Sequence, residues 1–369
     1  MNLSYWEIKS WLTNVDFIII GSGIVGLNCA LNLKHKYPLA SILVLEKGIL
    51  PQGASTKNAG FTCFGSLSEL LDDLQSHSED AIITLVKQRY EGLKLLRSTL
   101  GDSNIDYQEL GGFELFLQND ELYERCTVAL DDINSLLKPY FKDNVFSIKD
   151  NIFGFEGIRP NYIFNQFEGQ IDTGKMMDSL IQKVMNQGIK ILNNVTVEAY
   201  SEDVSGVKVQ TSDFEVSCKK LLIATNGFAS QLLDESIQPA RAQVLITNPI
   251  PDLKIKGTFH LDQGYYYFRN INNRILFGGG RNLDFESEET TTFGQTEIIQ
   301  DKLETLLKAT ILPNDSFTID HRWSGIMGVG SRKKPIVKQI SNHTYCGVRL
   351  GGMGVAIGSL VGRELADLV

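Results

Sequence analysis

Three glycines and a carboxylate are the residues whose spacing most clearly implies chemistry. Gly21, Gly23 and Gly26 stand in the run Gly21-Ser22-Gly23-Ile24-Val25-Gly26, and Glu46 lies 20 residues beyond the last of them. Gly21 permits a tight turn, Gly23 lets backbone approach a pyrophosphate, and Gly26 lets a helix pack closely on a strand. An acid at that distance is placed to bind the ribose hydroxyls of an adenine dinucleotide. The glycine pattern alone is a weak signal, so the elements around it have to carry it. Phe17 to Ile20 reads as a buried parallel strand, Leu27 to Leu33 has helical apolar spacing without proline, and Ser41 to Leu45 reads as a second strand ending at Glu46. The free N–H groups at the start of that helix would then face the phosphates.

Two further stretches have the composition of ligand-binding turns. Ile49 to Phe61 is a loop of small and polar residues containing Gly53-Ala54-Ser55-Thr56-Lys57-Asn58-Ala59-Gly60, suited to wrapping a ligand with backbone and hydroxyl donors. Near the C-terminus, the strand Thr344 to Arg349 runs into Leu350-Gly351-Gly352-Met353-Gly354 and an amphipathic helix from Val355 to Leu368, a second glycine turn at a helix N-terminus.

Composition narrows the partners. The 369 residues are 43% hydrophobic, enough for two modest domains or one interleaved unit, and the net charge of -9 argues against a general nucleic-acid or anionic-membrane binder. The five cysteines are scattered and never in a CxxC spacing, which suggests neither a disulfide framework nor a metal site and fits a reducing compartment. The N-terminus lacks the features of a signal peptide and no run is long enough for a membrane span, so a soluble, cytoplasmic protein is expected, with Trp6 and Trp11 packed against its body.

The remaining pattern separates into two kinds. Helices are expected over Ser66 to Asp73, Glu79 to Leu100, Leu122 to Leu137 and Lys175 to Asn186, with a strand pair around Gly111-Gly112 and an irregular aromatic stretch from Phe153 to Gln170. Ile189 to Leu192, Val195 to Tyr200 and Val207 to Thr211 read as strands, and Lys220 to Gly227 is an apolar strand entering a small-residue turn. From Arg241 to Trp323 the pattern is mostly antiparallel β, with one helical interlude at Thr296 to Thr310. The expected class is α/β: a discontinuous Rossmann-like dinucleotide domain (1–90, 165–232 and 322–369) and an α+β substrate domain on a mostly antiparallel sheet (91–164 and 233–321).

In order along the chain, GSGIVG, Glu46, GASTKNAG, ATNG at Ala224 to Gly227, PxRxQ at Pro239 to Gln243, Trp323-Ser324-Gly325 and GGMGVAIG resemble the D-amino-acid oxidase superfamily of FAD-dependent oxidoreductases. The group includes glycine oxidase, sarcosine oxidase and relatives of γ-glutamylputrescine oxidase. The resemblance implies that Gly21, Ser22, Gly23 and Gly26 hold the pyrophosphate of FAD, and that Glu46 and Lys47 hold the ribose. Ser55, Thr56, Asn58, Ala59 and Gly60 would line the phosphates and the isoalloxazine edge, Val197 would meet the adenine, and Ala224, Thr225 and Asn226 the ribityl side. Gly325 belongs to the flavin surround, and the helix end at Gly352, Met353, Gly354 and Val355 would stabilise the reduced flavin. The implied reaction is hydride transfer from an amine-bearing carbon to flavin N5, with imine hydrolysis afterwards and O2 or another acceptor reoxidising the cofactor.

The sequence departs from its relatives at Met327, where glycine-oxidase-like members carry an arginine for the substrate carboxylate; methionine cannot pair with one. Arg349 and Arg281 are the alternative cations for a carboxylate, while Lys57, inside the flavin loop, is placed to assist oxygen or to stabilise negatively charged flavin. Tyr265 and Tyr267 fall on one face of a strand and Tyr266 on the other, making the first two a candidate cavity wall. His260 reads as a structural histidine, and Arg332-Lys333-Lys334 as a solvated loop. With no cysteine between Cys218 and Cys346, FAD is expected to be held without a covalent bond. Two alternatives are a flavin-dependent 2-hydroxy-acid dehydrogenase and a non-catalytic flavin-bearing subunit.

Overall fold

The β-branched run Val15–Ile20 forms the middle of an eight-stranded sheet in the computed structural model, which describes residues 2–369. Ile42–Leu45 lies parallel on one side of it and Glu215–Ile223 parallel on the other, with Lys190–Leu192 and Thr344–Val348 extending the sheet outward. The inner strands are apolar along their whole length because both faces are covered. One face meets the helices Ile24–Lys36, Glu79–Leu100, Thr173–Asn186 and Gly354–Asp367, and the other meets the antiparallel meander Val197–Asp203 and Gly206–Thr211 with Ala229, Leu233 and Ile237.

The C-terminal helix reaches the first helix through glycines. A Cβ on Gly362 would come 2.6 Å from the Val25 carbonyl, one on Gly358 2.8 Å from Ile24 Cγ2, and one on Gly92 2.2 Å from the Ala356 carbonyl. These approaches set the middle of the C-terminal helix against the start of the helix Ile24–Lys36, and its first turn against Gly92 of the helix Glu79–Leu100.

A second sheet, also of eight strands, runs in the order Ile319–Val329, Gln238–Thr247, Arg274–Gly279, Tyr266–Ile271, Thr258–Leu261, Gly112–Leu115, Asn161–Asn165, Phe146–Asp150. It is antiparallel except where Thr258–Leu261 pairs parallel with Gly112–Leu115. One face is closed by stacked aromatics, with Phe259 and Phe268 centroids 4.6 Å apart, and by the helix Glu297–Leu306. Across the opposite face, the register aligns Glu114, His260, Tyr267, Gly278, Val244 and Trp323 in one row.

Several local expectations change. No hairpin forms at Gly111-Gly112: Gly111 takes a left-handed turn (φ 77°), and the single strand after it pairs with two distant strands. The aromatic stretch from Phe153 to Gln170 is not wholly irregular, since it contains the strand Asn161–Asn165. Trp6 and Trp11 are not packed into the body; Trp6 is 69% and Trp11 37% exposed, with the Lys190 ammonium over the Trp11 ring. No helix among the described residues is long and apolar enough to cross a membrane.

Candidate active site

The first glycine turn is built as its spacing implies. Gly21 has φ 102°, and a Cβ there would press on the Ala224 carbonyl at 2.8 Å, so the turn lies directly against the end of the neighbouring strand. Gly26 lets the helix descend onto that turn, with its Cβ position 1.9 Å from the Gly21 carbonyl. Ser55 Oγ, from the small-residue loop, accepts from Ile24 N at 2.9 Å and so sits over the helix N-terminus. The buried Glu46 carboxylate accepts from Ser22 N, Ser22 Oγ and Gly48 N at 3.0, 2.7 and 2.9 Å.

The second glycine turn opens on the same space. Gly23, Ile24, Val25, Gly352, Met353, Gly354, Val355 and Ala356 all line one cavity of about 440 Å³. The first turn of any helix leaves its amides without intrahelical acceptors, so two positive helix ends face one volume. Nothing lies within 4 Å of Cβ positions at Gly351 or Gly354, leaving the second turn open.

The small-residue loop forms another wall through Ser55, Lys57, Asn58, Ala59 and Gly60. Asn58 staples it: its side chain donates to the Ser55 carbonyl and accepts from Gly60 N and Thr173 Oγ1. Thr56 does not line the cavity; its hydroxyl turns into the loop and donates to the Pro51 carbonyl at 2.7 Å. Two residues of the second sheet also clamp the loop. Trp323 Nε1 donates to the Lys57 carbonyl at 2.9 Å, and Arg269, 2% exposed, donates to the Ile171 and Gly60 carbonyls at 2.7 and 3.4 Å. Burial pushes Arg269 down to about 10. Gly325 earns its place beside Trp323 by leaving room for Lys57, whose Cβ is 2.9 Å from where a Cβ would stand.

The remaining wall is the open face of the second sheet. Tyr265 and Tyr267 line the cavity while Tyr266 is buried in the aromatic core. The Tyr267 ring lies over Gly278, where a Cβ would meet the phenol at 2.8 to 2.9 Å, and burial raises its hydroxyl to about 12. Met327, Arg281, Ala224 and Asn226 complete the set. Arg281 is half-buried with its guanidinium 4.7 Å over the Phe285 ring, and it forms no ion pair among the described residues.

Other sequence candidates lie elsewhere. Arg349 is not in the wall: its backbone is left-handed (φ 63°), and its guanidinium donates to the Lys334 and Ser236 carbonyls. Val197 opens a strand away from the cavity, Lys47 is exposed, and Thr225 Oγ is buried without a partner beside the wall residue Ala224. Lys333, from the basic loop, does line the cavity and pairs with Asp73 at 2.5 Å.

Sequence reasoning left a number of wall residues unassigned, among them Cys63, Glu69, Asp72, Gln263 and His260, which all line the cavity. Asp262, Gln263 and Gly264 are consecutive left-handed residues folded over Glu69, a turn that no simple sequence signal marks. His260 Nε2 lies 2.5 Å from Glu168 Oε1, and Cys63 Sγ completes a trio whose ligand-type atoms fall within 4.8 Å. The direct Nε2 to Oε1 bond fills the space between two of the three, which makes the trio an ion pair with a neutral neighbour: burial raises the Cys63 thiol well above its usual range.

With this geometry in place, the comparisons agree. Residues 16–368 match the family described as DAO, FAD dependent oxidoreductase. The chain belongs to that family. Among curated proteins it is 21% identical to probable oxidoreductase OrdL of Haemophilus influenzae, over 97% of this chain and 83% of the relative. It is 22% identical to gamma-glutamylputrescine oxidoreductase of Escherichia coli, over 96% and 83%. Its fold superposes on glycine oxidase from Geobacillus kaustophilus with a TM-score of 0.76 at 16% identity, covering 96% of this chain and 94% of that one. The open turn at Gly351 and Gly354, the two helix ends lining one cavity and the ribose-type acid Glu46 fit the FAD that defines the family.

Proposed function

We propose that this DAO-family enzyme oxidises the C–N bond of an amine or amino acid in the cavity between the two helix ends and the second sheet. The observation that carries the reading is the convergence of Gly23–Val25 and Gly352–Ala356, more than 300 residues apart in sequence, on one volume whose far wall bears Tyr267, Met327 and Arg281. FAD bound there supplies a two-electron acceptor for hydride leaving the amine-bearing carbon.

The protein's share is binding, orientation and exclusion of water. Gly23, Ile24 N and Ser55 would hold the phosphates, Glu46 the ribose, and the amides of Gly354 to Ala356 the negative charge that develops at the far end. Ala242, Val244, Phe61 and Met327 present apolar surface to the reacting carbon, and the Tyr267 phenol stays protonated and able to donate across the physiological range. Met327 lines the cavity and cannot pair with a carboxylate, so a cation elsewhere must serve an acidic substrate. Arg281, unpaired and half-exposed, draws carboxylates toward the cavity.

Anaerobic mixing of the FAD-loaded protein with amines, N-methyl amino acids, D- and L-amino acids and 2-hydroxy acids tests the reading. Bleaching of the visible flavin bands by at least one amine or amino acid is expected. Bleaching by hydroxy acids alone, or by none of the panel, overturns it.

A further inference from the structure

The Glu168–His260 pair is unused by the reading above, yet one of its members faces the cavity. His260 stands on the strand Thr258–Leu261 directly opposite Tyr267 of the neighbouring strand, so both side chains leave the same sheet face. The Phe61 ring meets the imidazole edge-on, at 5.3 Å between centroids, and limits its rotation. Nε2 is committed to Glu168 Oε1, which also accepts from Thr258 Oγ1 at 2.9 Å. Nδ1 has no partner among the described residues and is not one of the sealed polar atoms, so it is the ring's open side.

We propose that Glu168 holds His260 as a cationic hydrogen-bond donor whose free Nδ1–H takes the anionic end of the substrate. Glu168 is the positioning residue and His260 the one that touches substrate. The inference rests on the amine-oxidation reading and deepens it by naming the group that docks a carboxylate.

The charges around the ring support a donor. Burial is the largest influence and would lower the histidine, but the charge and hydrogen bond of Glu168, with Glu69 and Glu114 behind them, together outweigh it and raise His260 to about 9, so the ring keeps its proton through neutral pH. The other acids facing it add to the same effect but are each partly offset. Glu114, on the neighbouring strand, is pushed up by burial toward its neutral form. Glu69 on the helix Leu67–Ser76 is offset by the buried Arg89 guanidinium, and Asp73 by Lys333. Cys63 stays a thiol and Tyr267 a phenol. Arg281 and Lys57 are further cations of the cavity wall, but the Nδ1–H is the positive donor fixed in place by a buried carboxylate, in surroundings dry enough for a charge-assisted bond to a carboxylate to be strong.

The test uses the FAD-loaded protein labelled with 15N-histidine, with His35, His77, His321 and His343 assigned by single glutamine substitutions. The probes are propionate and, as its cationic counterpart, propylamine. The expected result is a His260 ring signal that stays doubly protonated until about pH 9 and moves when propionate is added. Glu168→Gln should shift that titration to below pH 7 and make propionate binding fall away over the same range. His260→Asn should weaken propionate binding at least tenfold, read from the flavin absorbance, and leave propylamine binding within twofold. An imidazole already neutral at pH 7, or a His260 signal indifferent to propionate, overturns the proposal. These readouts need no turnover, so they separate failure of this inference from failure of the amine-oxidation reading.

Discussion

Replacing Gly23 with alanine separates holding the cofactor from holding the fold. Gly23 caps the helix Ile24–Lys36 with φ -75° and ψ -177°, extended backbone open to any residue. The new methyl would meet only Ser55 Oγ, at 2.8 Å, and a serine side chain can rotate away. Doing so breaks its bond to Ile24 N, worth about 0.5–1.5 kcal/mol to the free protein. The same movement removes a donor from the phosphate site and places a methyl on the approach surface. Losing one hydrogen bond to a charged group costs about 1.5–3 kcal/mol, which is roughly a 10- to 150-fold rise in the Kd for FAD. Gly26→Ala differs, because its Cβ falls 1.9 Å from the Gly21 carbonyl and the obstacle is backbone. The helix would have to lift off the turn, with a loss of stability of about 3 kcal/mol or more. Titrating FAD into apoprotein by fluorescence quenching, beside thermal melts with and without FAD, distinguishes the two. FAD should raise the melting temperature of wild type more than that of Gly23→Ala. If Gly23→Ala binds FAD as tightly as wild type, or Gly26→Ala melts like wild type, the geometric reasoning about this turn is refuted.

The other consequences are more direct. Arg281→Met should raise KM for carboxylate-bearing substrates about tenfold with kcat retained, and should flatten the dependence of KM on salt; an unchanged salt profile would remove Arg281 from substrate capture. Denaturation should release all of the flavin from wild type and from Cys63→Ser alike, since the cavity's cysteine is held as a thiol; yellow colour left on the precipitated chain contradicts this. Because His260 is raised above its unfolded value of about 6.5, its pair with Glu168 stabilises the fold fully below that pH and loses its effect as pH climbs through about 9. Urea titrations should therefore show wild type losing stability across that window while Glu168→Gln stays nearly flat; parallel curves would show that the pair is not ionised.

Much of the cofactor side was legible because its constraints are local. A φ of 102° at Gly21, a carbonyl at 1.9 Å from Gly26 and an acid at the end of the second strand are all written within some thirty residues. The alternation of Tyr265, Tyr266 and Tyr267 was readable for the same reason, since strand period alone assigns faces. The substrate side was not, because its residues are brought together by register between distant strands. His260 looks ordinary in sequence; only the pairing of its strand with Tyr266–Ile271 and Gly112–Leu115, and the arrival of Glu168 from a loop, give it a role. Arg349 failed for a related reason. Its place at a strand end beside the glycine turn was right, but a left-handed backbone turned its side chain toward the Ser236 and Lys334 carbonyls.

The motif residues that do not touch the cavity explain how the two sheets are kept in register around it. In PxRxQ, Arg241 makes a two-point pair with the fully buried Glu288, and Gln243 donates to the same carboxylate at 2.9 Å, tying the segment after Arg281 to the sheet. Removing one partner of such a pair leaves a buried charge unmatched, at about 3–5 kcal/mol. Trp323 and Arg269 carry the restraint from the second sheet to the carbonyls of Lys57 and Gly60 in the loop of the first. A position on the substrate wall and a position on the flavin loop are thus coupled through two hydrogen-bonded clamps as well as through the packing of Ala59 and Phe61 against Val244, Leu276 and Tyr267. Trp323→Phe, which keeps the ring and deletes only the Nε1 donor, should on this reasoning loosen FAD binding without disturbing the aromatic core around Phe259 and Phe268 on the sheet's other face.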